Sequence, residues 1–97
     1  MKIVYREHAK LRINLRGIEK RTVKKVLKEK DAEYFDTKAN YFVAIKRLQY
    51  KKKIKPIAVV FEKSEKTIEV VTVFATKDRE IKSRVLGGRW KHEDTIN

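Results

Sequence analysis

A histidine and an arginine stand four residues apart near the start of the sequence. His8 and Arg12 would share one flank of an α-helix, because side chains at that spacing are about one helical turn apart. An imidazole can take up or release a proton near neutral pH, and a guanidinium can bind a phosphate through two parallel N–H donors. The pair therefore has groups suited to proton transfer at a phosphodiester. The structural alternative is that His8 packs in an apolar stripe and Arg12 ties the helix to a sheet.

Cations lie beside aromatic rings in two later segments. One is a predicted strand with its following loop, and the other comes after Gly87 and Gly88. Rings beside cations suit single-stranded RNA, because unpaired bases stack on aromatic planes. The alternatives are a solvated charged surface and, for Trp90, packing against the core. The candidate nucleic-acid-binding residues of these segments are Lys46, Arg47, Tyr50, Lys51, Lys52, Lys53, Arg89, Trp90, Lys91 and His92.

The net charge of +13 is unevenly distributed along the chain. Residues 1–63 carry 19 Lys and Arg against 7 Asp and Glu, whereas residues 64–97 carry 7 against 6. Cations that neutralise phosphates release condensed counterions, which drives binding without regard to base sequence. Solubility alone needs a net charge of only about 2–8. The charge therefore predicts a polyanionic partner, and RNA is favoured over the alternative of lysines that only keep a small protein soluble.

The composition excludes several kinds of site. The sequence has no cysteine, which rules out disulfides, thiolate metal ligands and cysteine nucleophiles. The carboxylates are too scattered for a two-metal nuclease, and no zinc spacing or glycine-rich phosphate loop is present. The sequence therefore predicts neither a metal nor a cofactor.

The sequence also predicts a location. The first six residues contain no apolar core of a signal peptide, and the longest apolar run, Ile57–Phe61, is too short to span a bilayer. The lack of cysteine fits a reducing compartment. We therefore expect a cytoplasmic protein with no membrane partner. Few Met and Gln residues beside many Lys and Glu residues resemble a thermophile composition.

Hydrophobic periodicity places the candidates on one domain, residues 1–97. A first helix should end at Gly17, a residue that readily takes the left-handed conformation. A second helix should bury Val23, Val26 and Leu27. The predicted buried stripe of the first helix consists of Val4, His8, Leu11, Leu15 and Ile18.

The remaining periods predict a sheet and a third helix. Short turns between successive strands favour an antiparallel meander. The fold class is therefore α+β, with two N-terminal helices packed on one face of a four- to five-stranded antiparallel sheet, a short C-terminal helix, and the other face open. Residues 89–97 are expected to form a flexible tail. The predicted ranges are strand 2–5, helices 7–16 and 19–30, strands 33–37, 41–50, 57–61 and 67–75, and helix 77–86.

The N-terminal residues also carry a recognisable pattern. Residues 6–13 contain H-A-x-x-R, residues 16–18 read R-G-I, and a helical segment follows at 23–27. This pattern resembles a small family of uncharacterised domains, which is similar in turn to the RelE/ParE toxin superfamily and especially to its BrnT branch. The later segments Glu69–Phe74 and Lys77–Leu86 agree with the strand and basic helix of that fold.

The resemblance covers most of residues 3–86 and implies a RelE/ParE-like, metal-independent ribonuclease toxin. Such a protein acts on free or ribosome-bound RNA and is neutralised by a small antitoxin protein. Basic residues near the C-terminus contribute to the site in RelE-like proteins. The resemblance therefore adds Arg84 to the candidate catalytic residues, and Arg79 and Lys82 to the RNA-binding residues.

We accordingly predict an RNA-binding protein with endoribonuclease activity in a toxin–antitoxin-like system. Two alternatives remain open at this point. One is a non-catalytic nucleic-acid-binding module, and the other is a protein-interaction module on the same fold.

Overall fold

The computed structural model describes residues 2–93, which form one mixed sheet and three helices. The α+β class and the order of the first eight elements agree with the sequence prediction. In chain order the elements are β1 (Lys2–Tyr5), α1 (Glu7–Arg16), α2 (Lys20–Glu29), β2 (Ala32–Asp36), β3 (Tyr41–Tyr50), β4 (Lys53–Lys63), β5 (Thr67–Ala75), α3 (Asp78–Leu86) and β6 (Trp90–His92).

The sheet of the described residues has six strands in the order β1-β5-β4-β3-β2-β6. Strands β2 to β5 form the antiparallel meander that the short turns predict. The prediction of a four- to five-stranded, wholly antiparallel sheet is wrong, because β6 adds a further strand and β1 runs parallel to β5 with Lys2 beside Thr67. Two parallel strands require a long crossover connection, which α1 and α2 begin here.

Each face of the sheet has its own core, because successive strand residues point to opposite faces. On the first face, which we call the helix-pair side, α1 and α2 pack against Ala44 and Val59. On the opposite face, which we call the α3 side, Ile81 of α3 and Trp90 of β6 pack near Val43. The prediction that two helices share one face is confirmed, but the other face is not left open, because α3 covers part of it.

Helix α1 is rotated relative to the sequence prediction. Ala9 and Ile13 face the sheet and are buried, whereas Leu11 and Leu15 are 53% and 65% exposed. The small side chain of Ala9, which is fully buried, suits a helix that packs closely on β5. Gly17 ends the helix with φ 66°, as the sequence predicts.

Residues 89–92 belong to the fold and are not a tail. Strand β6 pairs with β2, and Trp90 lies opposite Asp36 with only 2% of its surface exposed. Burial of the large Trp90 indole stabilises this segment by more than the ordering of its polar residues costs in free energy. The prediction of a flexible tail is therefore wrong for residues 89–92. Residues 94–97 of that prediction lie outside the described residues. No helix among residues 2–93 is long and apolar enough to cross a membrane.

Candidate nucleic-acid interface

Helix α2 presents its cations directly away from the sheet. Val23, Val26 and Leu27 are buried, so the cations occupy the opposite surface of the helix. Like charges four residues apart weaken a helix by about 0.2–0.5 kcal/mol per pair. The fold therefore holds together a positive surface that repels itself. We call this surface the α2 ridge and define it as Arg21, Lys24, Lys25 and Lys28.

The hairpin between β3 and β4 continues this positive surface. A cleft between helix and strand is lined by Arg21 and Lys25 of the α2 ridge and by Leu48 and Gln49 of β3. The three lysines that follow, Lys51–Lys53, are exposed and form what we call the hairpin tip. The α2 ridge and the hairpin tip are therefore neighbours on the helix-pair side.

The hairpin is fixed in place at its base. The hydroxyl of Tyr50 donates a hydrogen bond of 2.8 Å to the carbonyl oxygen of Arg16, at the end of α1. The ammonium group of Lys51 lies 5.2 Å from the centre of the Tyr50 ring. Tyr50 therefore positions the tip, and its hydroxyl is occupied within the protein.

Two residues of the tip have an unfavourable backbone conformation. Lys51 and Lys52 have φ angles of 48° and 72°. A residue with a Cβ atom loses about 1–2 kcal/mol in this left-handed region relative to the right-handed one. The turn thus holds two lysines at a cost in stability.

The His8–Arg12 pair forms as the helical spacing predicts. Nε of Arg12 donates a hydrogen bond of 3.2 Å to Nε2 of His8, on the exposed surface of α1. His8 is exposed, so it does not pack in a core. Lys10 and Asn14 line the cleft towards α2. On a helix they lie nearly opposite the pair, which therefore faces away from the α2 ridge.

The C-terminal candidates lie on the α3 side. The guanidinium of Arg84 sits 5.0 Å from the centre of the Trp90 ring, so it does not meet His8 and Arg12. The predicted three-residue catalytic group is therefore not brought together. Trp90 is buried, which confirms the packing alternative and leaves no free face for an RNA base. Arg79, Lys82 and His92, which also lie on this side, are exposed, and so is Lys91, which points to the opposite face because it alternates with Trp90 and His92.

Asp36 holds this end of the sheet together. Its carboxylate accepts bonds from the Nε atoms of Arg89 and Trp90 at 3.2 Å, and from the backbone N–H groups of Lys38 and Ala39 at 3.0 and 2.9 Å. Burial by itself raises the pKa of Asp36, but these bonds outweigh it and hold the pKa below its ordinary value. Arg89 is thus a structural residue.

The two remaining candidates on β3 are paired with acids. The ammonium group of Lys46 lies 3.5 Å from the carboxylate of Asp31. Arg47 forms an ion pair with Asp78 at the start of α3. Both are therefore less available to a phosphate than the hairpin tip.

A cluster that the sequence analysis missed lies on the part of the α3 side that α3 leaves uncovered. Arg6 forms ion pairs with Glu62 and Glu69 and donates a hydrogen bond of 3.1 Å to the Tyr41 hydroxyl. The bonds to Glu69 and Tyr41 raise the pKa of Arg6 above its ordinary value. The four residues are far apart in sequence, so no local pattern could have drawn attention to them. This uncovered part of the sheet is therefore not cationic.

Residues 5–75 match a protein family model described as a domain of unknown function, DUF4258. The chain belongs to the DUF4258 family. The DUF4258 segment contains α1, α2 and β2 to β5, and hence the α2 ridge, the hairpin tip and the Arg6 cluster, whereas α3 and β6 follow it. No curated protein and no solved structure matches the chain. No cluster of three or more potential metal ligands occurs among residues 2–93.

Proposed function

We propose that this protein binds single-stranded RNA across the helix-pair side, with the α2 ridge and the hairpin tip contacting backbone phosphates. The observation that carries the proposal is an unbalanced charge. Within the described residues, no carboxylate forms an ion pair with Lys24, Lys25, Lys28 or the hairpin tip, and all six side chains are exposed. Uncompensated, mutually repelling cations are stabilised when phosphates take the place of their counterions.

Lysine and arginine contacts of this kind read no base sequence. We therefore expect the protein to bind RNA through its backbone, with a strong salt dependence. Binding of this kind needs no recognition helix in a duplex groove, because single strands are bound along a positive groove. Location in the cytoplasm and action on ribosome-bound RNA are part of the same proposal.

A salt titration of binding to an unstructured RNA oligonucleotide tests the proposal. Each phosphate contact on a single strand contributes about 0.7 to the slope of log affinity against log salt. Replacing three lysines, Lys24→Gln/Lys25→Gln/Lys28→Gln, should therefore reduce the slope by about 2. The matched control removes three cations from the α3 side, Lys77→Gln/Arg79→Gln/Lys82→Gln, and should leave the slope nearly unchanged. A wild-type slope near zero, or equal losses in both variants, would exclude this surface.

We further propose metal-independent cleavage of RNA, the activity of the RelE/ParE toxins that the sequence resembles. Because the His8–Arg12 pair faces away from the α2 ridge, this requires a strand bound on the ridge to continue over the outer surface of α1. The exposed His8–Arg12 pair supports cleavage. His8 would be the base that takes the proton of a 2′-hydroxyl, and the bond that its Nε2 atom accepts from Arg12 would open for this transfer. The 2′-oxygen then attacks phosphorus and the bond to the 5′-oxygen breaks, while Arg12 stabilises the charge that develops. The protonation of the 5′-oxygen is assigned to solvent, because Arg84 lies on the opposite side of the sheet.

The test is an RNA cleavage assay in the presence of EDTA, on free and on ribosome-bound RNA. His8→Ala should abolish cleavage and leave RNA affinity within about twofold, because one exposed neutral side chain adds little to a charge-driven complex. His92→Ala is the matched control, since His92 is the other histidine and lies on the α3 side. Cleavage that survives His8→Ala, or that is lost equally in both variants, would remove His8 as the base.

A second candidate function is the binding of an acidic protein partner, of the antitoxin kind that the resemblance implies. The exposed side chains of Leu11 and Leu15 favour it, because they form an apolar ridge on the outer surface of α1. Lys10 and Arg12 flank this ridge, and the chain carries a net charge of +13. A second copy of the chain would be repelled, whereas an acidic amphipathic segment would match both the ridge and its flanks.

A further inference from the structure

The turn at the hairpin tip has a geometry that ordinarily selects other residues. Tyr50 pairs with Lys53, so the loop consists of Lys51 and Lys52 alone, and both have positive φ angles. A two-residue loop with two positive φ angles is a type I′ turn, for which Asn-Gly is the favoured sequence. Lysine has neither the short hydrogen-bonding side chain of asparagine nor the freedom of glycine.

The rest of the chain follows the ordinary rule. Among the described residues, the other positive φ angles belong to Asn40, Gly17 and Gly88. Asn40 ends the turn between β2 and β3, which is the comparable connection on the neighbouring hairpin. The unusual choice is therefore confined to the β3–β4 turn.

Contacts within the protein do not account for these lysines. Lys51 lies over the Tyr50 ring, and no side-chain hydrogen bond or ion pair to Lys51 or Lys52 occurs within residues 2–93. Lys51 has only its contact with the Tyr50 ring and Lys52 has none of these contacts, so the fold gains little from the two ammonium groups in return for the strain of the turn. Strain of this kind is commonly kept where the side chain serves a function.

The turn is also held rigidly beside the proposed interface. The hydrogen bond from Tyr50 to the end of α1 fixes the base of the hairpin. The preceding residue, Gln49, lines the cleft between β3 and α2. Two ammonium groups on one tight turn thus extend from the hairpin whose strand β3 lines this cleft together with Arg21 and Lys25.

We infer that the Lys51–Lys52 turn is a phosphate-binding site, in which two ammonium groups hold the backbone of a single-stranded RNA that continues over the α2 ridge. The inference rests on the proposed function and assigns it a site. The free protein keeps the strained turn, and the bound phosphates compensate for it. The site reads no base, because ammonium groups contact only the phosphates.

The decisive experiment exchanges the turn for its favoured sequence, Lys51→Asn/Lys52→Gly. Relief of the strain should raise the Tm by about 4–8 °C, the shift expected for a small domain from a modest gain in stability. Loss of two phosphate contacts should reduce the salt slope of RNA binding by about 1.4. The same change therefore makes the protein more stable and a weaker binder.

Two further variants separate charge from strain. Lys51→Gln/Lys52→Gln removes the charges and keeps the strained turn, so it should lose the same slope without the gain in Tm. Lys66→Gln/Lys77→Gln removes two exposed lysines elsewhere and should change neither quantity.

The outcomes distinguish this inference from the function on which it rests. If both turn variants bind RNA like the wild type while the α2 ridge variant is impaired, the turn is not a phosphate site, and RNA binding as the proposed function is confined to the α2 ridge. If none of these variants is impaired, the proposed function fails as well. Ile54, which is 62% exposed beside the tip, offers a membrane alternative. Binding to vesicles rich in phosphatidylserine that the turn variants lose, with RNA affinity unchanged, would overturn the inference in favour of a lipid surface.

Discussion

The two sides of the sheet contain similar kinds of residue but use their charges differently. On the helix-pair side, Lys24, Lys25 and Lys28 of the α2 ridge and the three lysines of the hairpin tip form no ion pair within the described residues, whereas Arg21 of the ridge pairs with Glu19. On the α3 side, Arg6 is held by Glu62 and Glu69, and Arg89 is held by Asp36. A cation that already has an acidic partner gains little interaction free energy from a phosphate, whereas an unpaired cation gains the full interaction free energy of the contact. Net charge alone therefore does not locate a binding surface.

This contrast makes a general expectation for mutations. Changes to the ion pairs of the α3 side should affect the stability of the fold and leave RNA binding intact. Changes to the cations of the helix-pair side should do the reverse. The predictions below test each half of this statement, beginning with the largest effect.

Replacement of the buried carboxylate by Asp36→Ala should destabilise the protein by about 3 kcal/mol. The indole N–H of Trp90 and two backbone N–H groups would lose their acceptor, and Arg89 would lose its partner. Urea denaturation measures the change. RNA affinity of the folded variant should match that of the wild type, and a loss of affinity without a loss of stability would break the comparison.

The pH dependence of stability should report the same carboxylate. Because the pKa of Asp36 is lower in the folded chain than in the unfolded one, its contribution is fully present above the unfolded value of about 4. The contribution is lost as the pH falls through the folded value. The difference in unfolding free energy between the wild type and Asp36→Asn should therefore be constant near neutral pH and shrink below about pH 4. A difference that grows on acidification would contradict this sign.

Arg6→Met should lower the Tm by a smaller amount. The variant leaves Glu62 and Glu69 facing each other without a cation and removes the bond to Tyr41. Scanning calorimetry measures the shift, with Arg79→Met as the control because Arg79 is an exposed cation on α3. The salt slope of RNA binding should be the same in both variants. A reduced slope in Arg6→Met alone would place RNA on the uncovered part of the sheet.

The smallest effect is expected from Leu11→Gln/Leu15→Gln. Both side chains are mostly exposed, so the free energy of unfolding should change by no more than about 0.5 kcal/mol. Loss of a complex with a co-expressed acidic partner from the adjacent reading frame would show that the ridge binds protein. A destabilisation of several times that size would instead mean that these leucines pack within the protein, as the sequence pattern alone predicts.

The sequence pattern located α2 well and α1 poorly, for a physical reason. In α2 the buried positions Val23, Val26 and Leu27 are also the only large apolar ones, so one orientation satisfies the pattern. In α1 two sets of apolar residues compete. The larger leucines predict one orientation, and the packed structure selects the set that contains the small Ala9.

Long-range pairing explains most of what the sequence could not predict. Strand β6 has three residues and no apolar alternation, so nothing local indicates that it pairs with β2. The Arg6 cluster likewise joins four distant positions. The hairpin tip was found from its lysines, but its strained turn became visible only with the backbone angles. The α2 ridge was recognised only with the structure, in which Lys24, Lys25 and Lys28 form no ion pair within residues 2–93.

The parallel pairing of β1 with β5 has a consequence for synthesis. The N–H group of Lys2 bonds to the carbonyl oxygen of Lys66, and Tyr5 is aligned with Val70. Strand β1 is thus synthesised well before the strand that pairs with it, and contacts between such distant segments form slowly. Until β5 has emerged, the apolar faces of α1 and α2 remain exposed on the nascent chain. Chaperone binding or aggregation should therefore be most frequent in that interval. Premature termination within β5 should yield a polypeptide that is degraded, not a smaller working domain.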